Sequence, residues 1–191
     1  MATDRLDISV RRACVGDVPQ MHRLINDAAE FGLMLPKPPG VLYENVREFR
    51  VATPADEAQT VLGVCGLSIV WANLAEVASL VVSPAQRGRG LGRVLVEDCL
   101  AEARTLGIRK VMTLTYERAF FERCGFSVVD RQQLPLKVWS ECVRCPKNQA
   151  CDEIAMIRIF EDIPDIAGPQ PATPAPDKYI VPTVVRRAKE G

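Results

Sequence analysis

Glu76-Val77-Ala78-Ser79-Leu80-Val81-Val82-Ser83-Pro84-Ala85-Gln86-Arg87-Gly88-Arg89-Gly90-Leu91-Gly92-Arg93-Val94-Leu95 is the stretch on which the reading of this chain turns. Val, Leu and Ala dominate its first seven residues, as in a buried strand. Glycines at 88, 90 and 92 then punctuate the chain, and helical periodicity begins just after them. A helix N-terminus leaves backbone N–H groups unpaired and carries a partial positive charge, which suits a diphosphate. Gly88, Gly90 and Gly92 let the backbone approach phosphate with no Cβ in the way. Arg87, Arg89 and Arg93 can add charge-assisted hydrogen bonds. A sharp turn with a basic rim is the plainer alternative.

Two other glycine-rich phosphate loops do not fit. A P-loop needs Gly-x-x-x-x-Gly-Lys-Ser/Thr, and no Lys-Ser/Thr pair follows these glycines. A dinucleotide fingerprint opens an early βαβ unit, whereas Gly88-x-Gly90-x-Gly92 lies mid-chain after several strands that suggest a hairpin.

Outward from this stretch the elements follow by pattern. A helix is expected from about Gly90 to Leu106, with Val96, Cys99, Leu100, Ala103 and Leu106 on its apolar face and Gly107 as its stop. Upstream, residues 49–52 and 59–71 read as strands joined by a polar turn at 54–58, and 75–82 as a further strand. Downstream come a strand at 109–115, a short helix at 118–123, a strand at 126–129 and a last strand at 153–160. At the start, residues 6–10 alternate as a strand, and Asp17 is expected to cap a helix from Val18 to about Phe31 with Pro19 in its first turn. The proline-rich 32–40 reads as loop, followed by a helical turn at 42–46. The order is mixed, α/β or α+β, in one domain over residues 1–162. Residues 163–191, rich in Pro and Ala, read as an extended tail.

With 24 basic and 24 acidic residues the net charge is formally zero, so no nucleic-acid partner is expected. No apolar run approaches the roughly 18–20 residues that cross a bilayer. Met1–Asp7 lacks the basic and then apolar run of a signal peptide, so the cytoplasm is the expected location and no membrane partner is expected. Seven cysteines, an odd number, argue against a disulfide framework. Cys65 and Cys99 read as small buried thiols. Cys142, Cys145 and Cys151 have knuckle-like spacing, but structural zinc wants four ligands. Cys124, His22 or Asp152 would have to complete the set, so zinc is not expected.

Arg87-x-x-Gly90-x-Gly92, after Leu80-Val81-Val82-Ser83-Pro84, resembles the acetyl-CoA signature of the GCN5-related N-acetyltransferases. Phe120-Phe121-Glu122-Arg123-Cys124-Gly125-Phe126 is similar to that family's second signature, an aromatic-Glu-Lys/Arg-x-Gly-Phe turn. The resemblance covers roughly residues 6–160. It implies a bent mixed sheet flanked by helices, in which two central parallel strands, 75–82 and 109–115, splay apart. It also implies acetyl-CoA as cosubstrate, its pantetheine arm against the backbone of Leu80, Val81 and Val82. The segment Arg87-Gly88-Arg89-Gly90-Leu91-Gly92-Arg93 would hold the phosphates, with Phe121 nearby.

Acetyl transfer needs a neutral amine, a group to take its proton and a donor for the leaving thiolate. A backbone N–H can stabilise the oxyanion of direct attack. Glu76 is the best carboxylate for the base, through water; a strand-end surface charge is its alternative role. Many members of the resembled family carry a proton-donating Tyr where this chain has Phe121, which has no proton to give. Tyr116 is the nearest hydroxyl in sequence and Thr115 a second candidate. His22 reads as a partly exposed helix residue.

Leu33-Met34-Leu35-Pro36-Lys37-Pro38, followed by Leu42–Phe49, is similar to the acceptor side of bacterial N-acetylglutamate synthases in their short form; so is Leu114-Thr115-Tyr116 leading into the second signature. That likeness implies L-glutamate as acceptor, the first step of arginine synthesis. A dicarboxylate wants two cationic contacts, best supplied by bidentate arginine. Lys37 matches the basic position of the resembled loop; Arg47 lies nearby, and Lys147 and Arg158 come from the C-terminal part. A solvated surface charge is the alternative for each. The expected partners are a small amino acid and, as a candidate assembly, a second copy of the chain. Transfer to another small amine or a protein amine, and a non-catalytic acetyl-CoA-binding module, are the competing readings.

Overall fold

The computed structural model describes residues 7–131, residue 134 and residues 152–166. The three cysteines Cys142, Cys145 and Cys151, together with Lys147 and nearly all of the Pro/Ala-rich tail, lie outside them. No helix among the described residues is long and apolar enough to cross a membrane.

Seven strands form one sheet in the order β1-β2-β3-β4-β5-β7-β6. They are β1 (Ile8–Arg12), β2 (Phe49–Pro54), β3 (Gly63–Trp71), β4 (Leu74–Val82), β5 (Lys110–Thr115), β6 (Ser127–Val128) and β7 (Ile154–Ile159). The β1–β2, β2–β3 and β3–β4 pairs are antiparallel, and β7 pairs antiparallel with both β5 and β6. The β4–β5 pair is parallel, the α3 helix (Leu91–Thr105) carrying the chain across as a parallel connection requires. That helix runs within a residue of its expected bounds and ends at Gly107, whose φ of +73° is the left-handed stop.

Three buried clusters flank the sheet, the smallest being Val70, Leu74, Met112, Leu134 and Ala155, and the two larger ones lie under helices. On one face Leu95, Val96, Cys99, Leu100 and Ala103 of α3 pack against Ala52, Cys65, Leu67, Ala75, Val77 and Val111. On the other, Met21 and Ile25 of α1 (Val18–Glu30) and Leu42 of α2 (Pro39–Glu44) cover Val51, Val64 and Val81. Val51 and Ala52 are neighbours in β2 yet serve opposite cores, as strand alternation requires. Cys65 and Cys99 are fully buried, as expected, and the hydrogen bond to the Cys99 thiol, together with burial, pushes the Cys65 thiol well up. Arg50 is a buried exception on the α3 face. Its guanidinium bonds Asp98 at 2.6 Å and also Glu102, tying β2 to α3 through a charge that burial would otherwise penalise.

Several boundaries differ from the sequence reading, each for a physical reason. Strand β1 lies at 8–12 because Ile8 pairs with Pro54 and Arg12 with Arg50. Strand β3 starts at Gly63: a turn closed by Thr60 N–H to the Glu57 carbonyl occupies part of the stretch expected as strand. Helix α2 begins at Pro39, inside the expected loop, because proline is favoured in a first helical turn, where its missing N–H costs nothing. Asp17 precedes α1 but makes no side-chain cap to it. Its carboxylate instead accepts the Cys14 N–H at 2.7 Å and both Arg11 terminal nitrogens at 2.7 and 2.8 Å. Burial works to raise the Asp17 pKa, but these bonds outweigh it and hold the carboxyl below the ordinary aspartate range.

Candidate active site

Strands β4 and β5 stay in register over only three pairs, Leu74–Lys110, Ala75–Val111 and Glu76–Met112. Beyond Glu76 they separate. Between Val64 and Gly66 of β3 the register advances from Val81 to Ala78 on β4, so three steps on β4 answer two on β3. This is a β-bulge, and Ser79 within it has φ +53°, in the left-handed region that a non-glycine residue rarely enters. Among the described residues, Ser79 and Leu80 therefore have no ladder partner on either side. Strain of this kind, held at a cleft by a surrounding sheet, marks a place where backbone groups are kept available.

A cavity of about 720 Å³ fills the gap and runs past it. Its wall includes Glu76 to Val82 of β4 and Thr113 to Glu117 at the end of β5. Gln86, Arg87, Gly88, Gly90, Leu91, Gly92 and Arg93, at the mouth of α3, line it too, as do Leu33, Met34, Leu35 and Lys37 of the segment after α1, and Arg131 and Glu153. The size falls within the roughly 300–1,000 Å³ of small-molecule clefts.

The glycine end has the local geometry expected of a phosphate cradle. Gly88 and Gly90 have φ of +75° and +84°, and Gly90 is the left-handed N-cap of α3. Open space surrounds both, so glycine is needed there for its backbone conformation. Gly92 differs: a Cβ there would make ordinary contact with Phe120 at 3.6 Å. The Arg93 and Val94 amides already bond the Gly90 carbonyl at 3.0 and 3.2 Å, whereas no backbone acceptor takes the amides of residues 88–92 among the described residues. Those amides at the positive end of a 15-residue helix are what a diphosphate binds. The residues present thus fit the phosphates of coenzyme A. Arg87 steadies the entrance, its Nε donating to the Val82 carbonyl at 3.3 Å. Arg93 lies 3.8 Å from Glu97. Arg89 donates to Gln86 at 3.4 Å and is not among the residues lining the cavity.

Of the expected catalytic residues, Glu76, Thr115 and Tyr116 are all brought to the cavity. Glu76 sits at the fork itself, the last β4 residue paired with β5. Tyr116 donates its hydroxyl to Asp152 at 2.8 Å. Thr115 Oγ1 accepts the Glu117 N–H at 2.9 Å, closing the turn into α4 (Arg118–Arg123). Phe121 is buried edge-on between Phe120 and Phe126, with centroids 5.0 and 5.3 Å away, so the second signature forms an aromatic wall. Cys124 beside it is buried, and burial, with Glu97, raises its thiol pKa.

Lys37 lines the cavity. Arg47 is exposed on the 3-10 turn Val46–Glu48 and is not among the residues lining the cavity. Arg158 is turned elsewhere, donating to the Cys124 carbonyl at 2.6 Å beneath the Phe160 ring. Lys147 lies outside the described residues. Arg131, Arg123, Glu117 and Glu153 were not singled out from sequence. Arg123 stands at the basic position of the second signature, but nothing in the sequence around Arg131 marks it, because it arrives through the turn of the chain after β6.

A family model described as the acetyltransferase (GNAT) family matches residues 19–126. An uncharacterized N-acetyltransferase of Chlorobaculum tepidum is 36% identical over 152 residues, covering 80% of this chain and 96% of that protein. The amino-acid acetyltransferase of Mycobacterium tuberculosis is 36% identical over 135 residues, covering 71% of this chain and 77% of that enzyme. Among solved structures, a Mycobacterium tuberculosis protein in complex with CoA superposes with a TM-score of 0.70 at 31% identity, over 80% of this chain and 99% of that one. The N-acetylglutamate synthase of Neisseria gonorrhoeae, complexed with coenzyme A and N-acetyl-glutamate, gives the same score at 24% identity. That comparison shares the fold and spans 35% of the longer enzyme. The forked sheet, the amide cradle and these relatives agree that the chain belongs to the GNAT family of acetyl-CoA-dependent N-acetyltransferases.

Proposed function

We propose that the protein acetylates the α-amine of a small amino acid, with L-glutamate as the leading acceptor. The observation that carries this reading is one continuous cavity joining the amide cradle to a side holding Lys37, Arg131 and Glu76. Two cationic side chains on the acceptor side match the two carboxylates of glutamate. Relatives named amino-acid acetyltransferase support the class of acceptor. On L-glutamate the reaction is the first step of arginine synthesis.

Bound acetyl-CoA supplies a thioester carbonyl for direct attack by the amine, with the CoA thiolate leaving. The α3 amides and Arg87 hold the diphosphate, and the backbone at the Ser79–Leu80 bulge orients the thioester and offers an N–H to its oxygen. Glu76 takes the proton from the incoming ammonium through water. Tyr116, poised against Asp152, is the phenol that lines the cavity among the described residues and returns a proton to sulfur; Thr115 is already engaged in its turn.

Glu76, Glu117 and Glu153 on the same cavity favour a second reading, in which the acceptor carries an extra cation. A CoA-release assay over the amino acids separates the two. Turnover with L-glutamate or L-glutamine is expected; turnover with lysine, polyamines or peptides and none with glutamate overturns the leading acceptor. Acetyl-CoA binding with no CoA release on any amine points to a non-catalytic acetyl-CoA-binding module.

A further inference from the structure

Asn26 belongs to neither signature, yet its side chain is fastened to the segment that carries Lys37. After α1 the chain reverses at Gly32, whose φ is +70°, and residues 33–35 and 37 run along the cavity wall. The near end of this segment is anchored by Met34, packed against the Met21–Ile25–Leu42 cluster. At the far end Asn26 Oδ1 accepts the Lys37 N–H at 3.1 Å, while Asn26 Nδ2 donates to the Lys37 carbonyl at 3.0 Å. The same Nδ2 donates to the His22 carbonyl at 2.9 Å, which locks the carboxamide to the helix beneath it.

A carboxamide that satisfies both peptide groups of one residue acts as a one-residue strand partner. It restrains the peptide planes on both sides of Lys37 and so fixes the direction in which its Cβ leaves the backbone. Three bonds from one side chain also set its own orientation, because only one assignment of oxygen and nitrogen satisfies them. Pro36 and Pro38 flank Lys37 and have no N–H to give, so the Lys37 amide is the donor this stretch presents to Asn26.

We infer that Asn26 is a positioning residue for acceptor recognition, holding Lys37 in the cavity wall. The inference rests on the reading that the acceptor lies on the Lys37 side. Among the described residues the side-chain hydrogen bonds of Asn26 run to His22 and Lys37, so its effect is expected on the acceptor and not on the cradle.

The test is steady-state kinetics of Asn26→Ala and Asn26→Asp, with amide hydrogen exchange at residues 33–38. Losing the two of its three hydrogen bonds that hold Lys37 should raise the KM for L-glutamate about tenfold in Asn26→Ala. The KM for acetyl-CoA and kcat should stay within about twofold, and the amides of residues 33–35 and 37 should exchange faster. Asn26→Asp keeps the acceptor for the Lys37 N–H but sets a carboxylate oxygen against the Lys37 and His22 carbonyls, so it should not restore the wild-type KM. An unchanged glutamate KM, or an equal loss in the acetyl-CoA KM and kcat, overturns the inference. If wild-type protein ignores L-glutamate, the glutamate reading fails by itself, and the kinetics are read on whichever amino acid releases CoA. Should no amino acid do so, both readings fall together.

Discussion

Gly90 and Gly92 stand two residues apart in the same signature and have different physical duties. Gly90 sits at φ +84° in open space, so an alanine there meets backbone strain of about 1 kcal/mol and tilts the first amides of α3. Gly92 has ordinary helical geometry, and an added methyl would meet Phe120 at van der Waals distance. Gly90→Ala should weaken acetyl-CoA binding about tenfold, as the strain and a misaligned amide together imply, while Gly92→Ala should change it less than threefold. Titration calorimetry on the two variants reads the difference directly, and equal losses would contradict it. Glu76 offers a second residue-scale test. If it takes the amine proton, Glu76→Gln should lower kcat about 100-fold. Activity should recover at high pH, where the amine loses its proton unaided. An unchanged kcat would remove Glu76 from the mechanism.

At the scale of elements, hydrophobic period and turn chemistry made most of the fold legible. Helix α3, strands β4 and β5 and the short α4 follow their expected bounds closely, because each has an apolar face and a glycine or charged boundary. Strand insertion was not legible: β7 enters between β5 and β6, a pairing that depends on long-range register rather than local pattern. The bulge was hidden too, since Ser79 reads as one more strand residue and its positive φ is imposed by the sheet. The site was legible where motifs carry it, at the cradle and at Phe121, and obscure where tertiary structure assembles it, at Asn26 and Arg131. Asp17 shows the same limit. Its sequence position suggests a helix cap, but the structure uses it to join β1 to the turn before α1 through Arg11. The pH dependence follows from its lowered pKa. Below the ordinary aspartate range, from about pH 4 downward, the unfolded chain binds a proton that the folded one resists, so this stabilisation is lost as pH falls through the folded-state value. Asp17→Asn should cost about 2 kcal/mol at pH 7, and thermal melts should show a flatter acid limb than wild type. A variant that melts like wild type at pH 7 would show that the pair contributes nothing.

For the whole molecule, the fork in the sheet organises everything else. Two packed faces hold β4 and β5 together at Leu74–Glu76 and let them part beyond it, so the cavity is a property of the fold and does not depend on any single loop. The cradle end is built on α3 and the proposed acceptor side on α1 and the segment after it, the two helices packing on opposite faces of the sheet. Changes on one side should therefore leave binding on the other nearly intact. The most direct measurement is calorimetric titration of acetyl-CoA into wild-type protein and into a double variant, Arg87→Ala with Gly90→Ala. Saturable binding to wild type, lost or weakened at least tenfold in the double variant with its Tm preserved, is the predicted result. No heat of binding to wild type, or equal affinity in both proteins, would contradict the claim that the amides opening α3 grip coenzyme A.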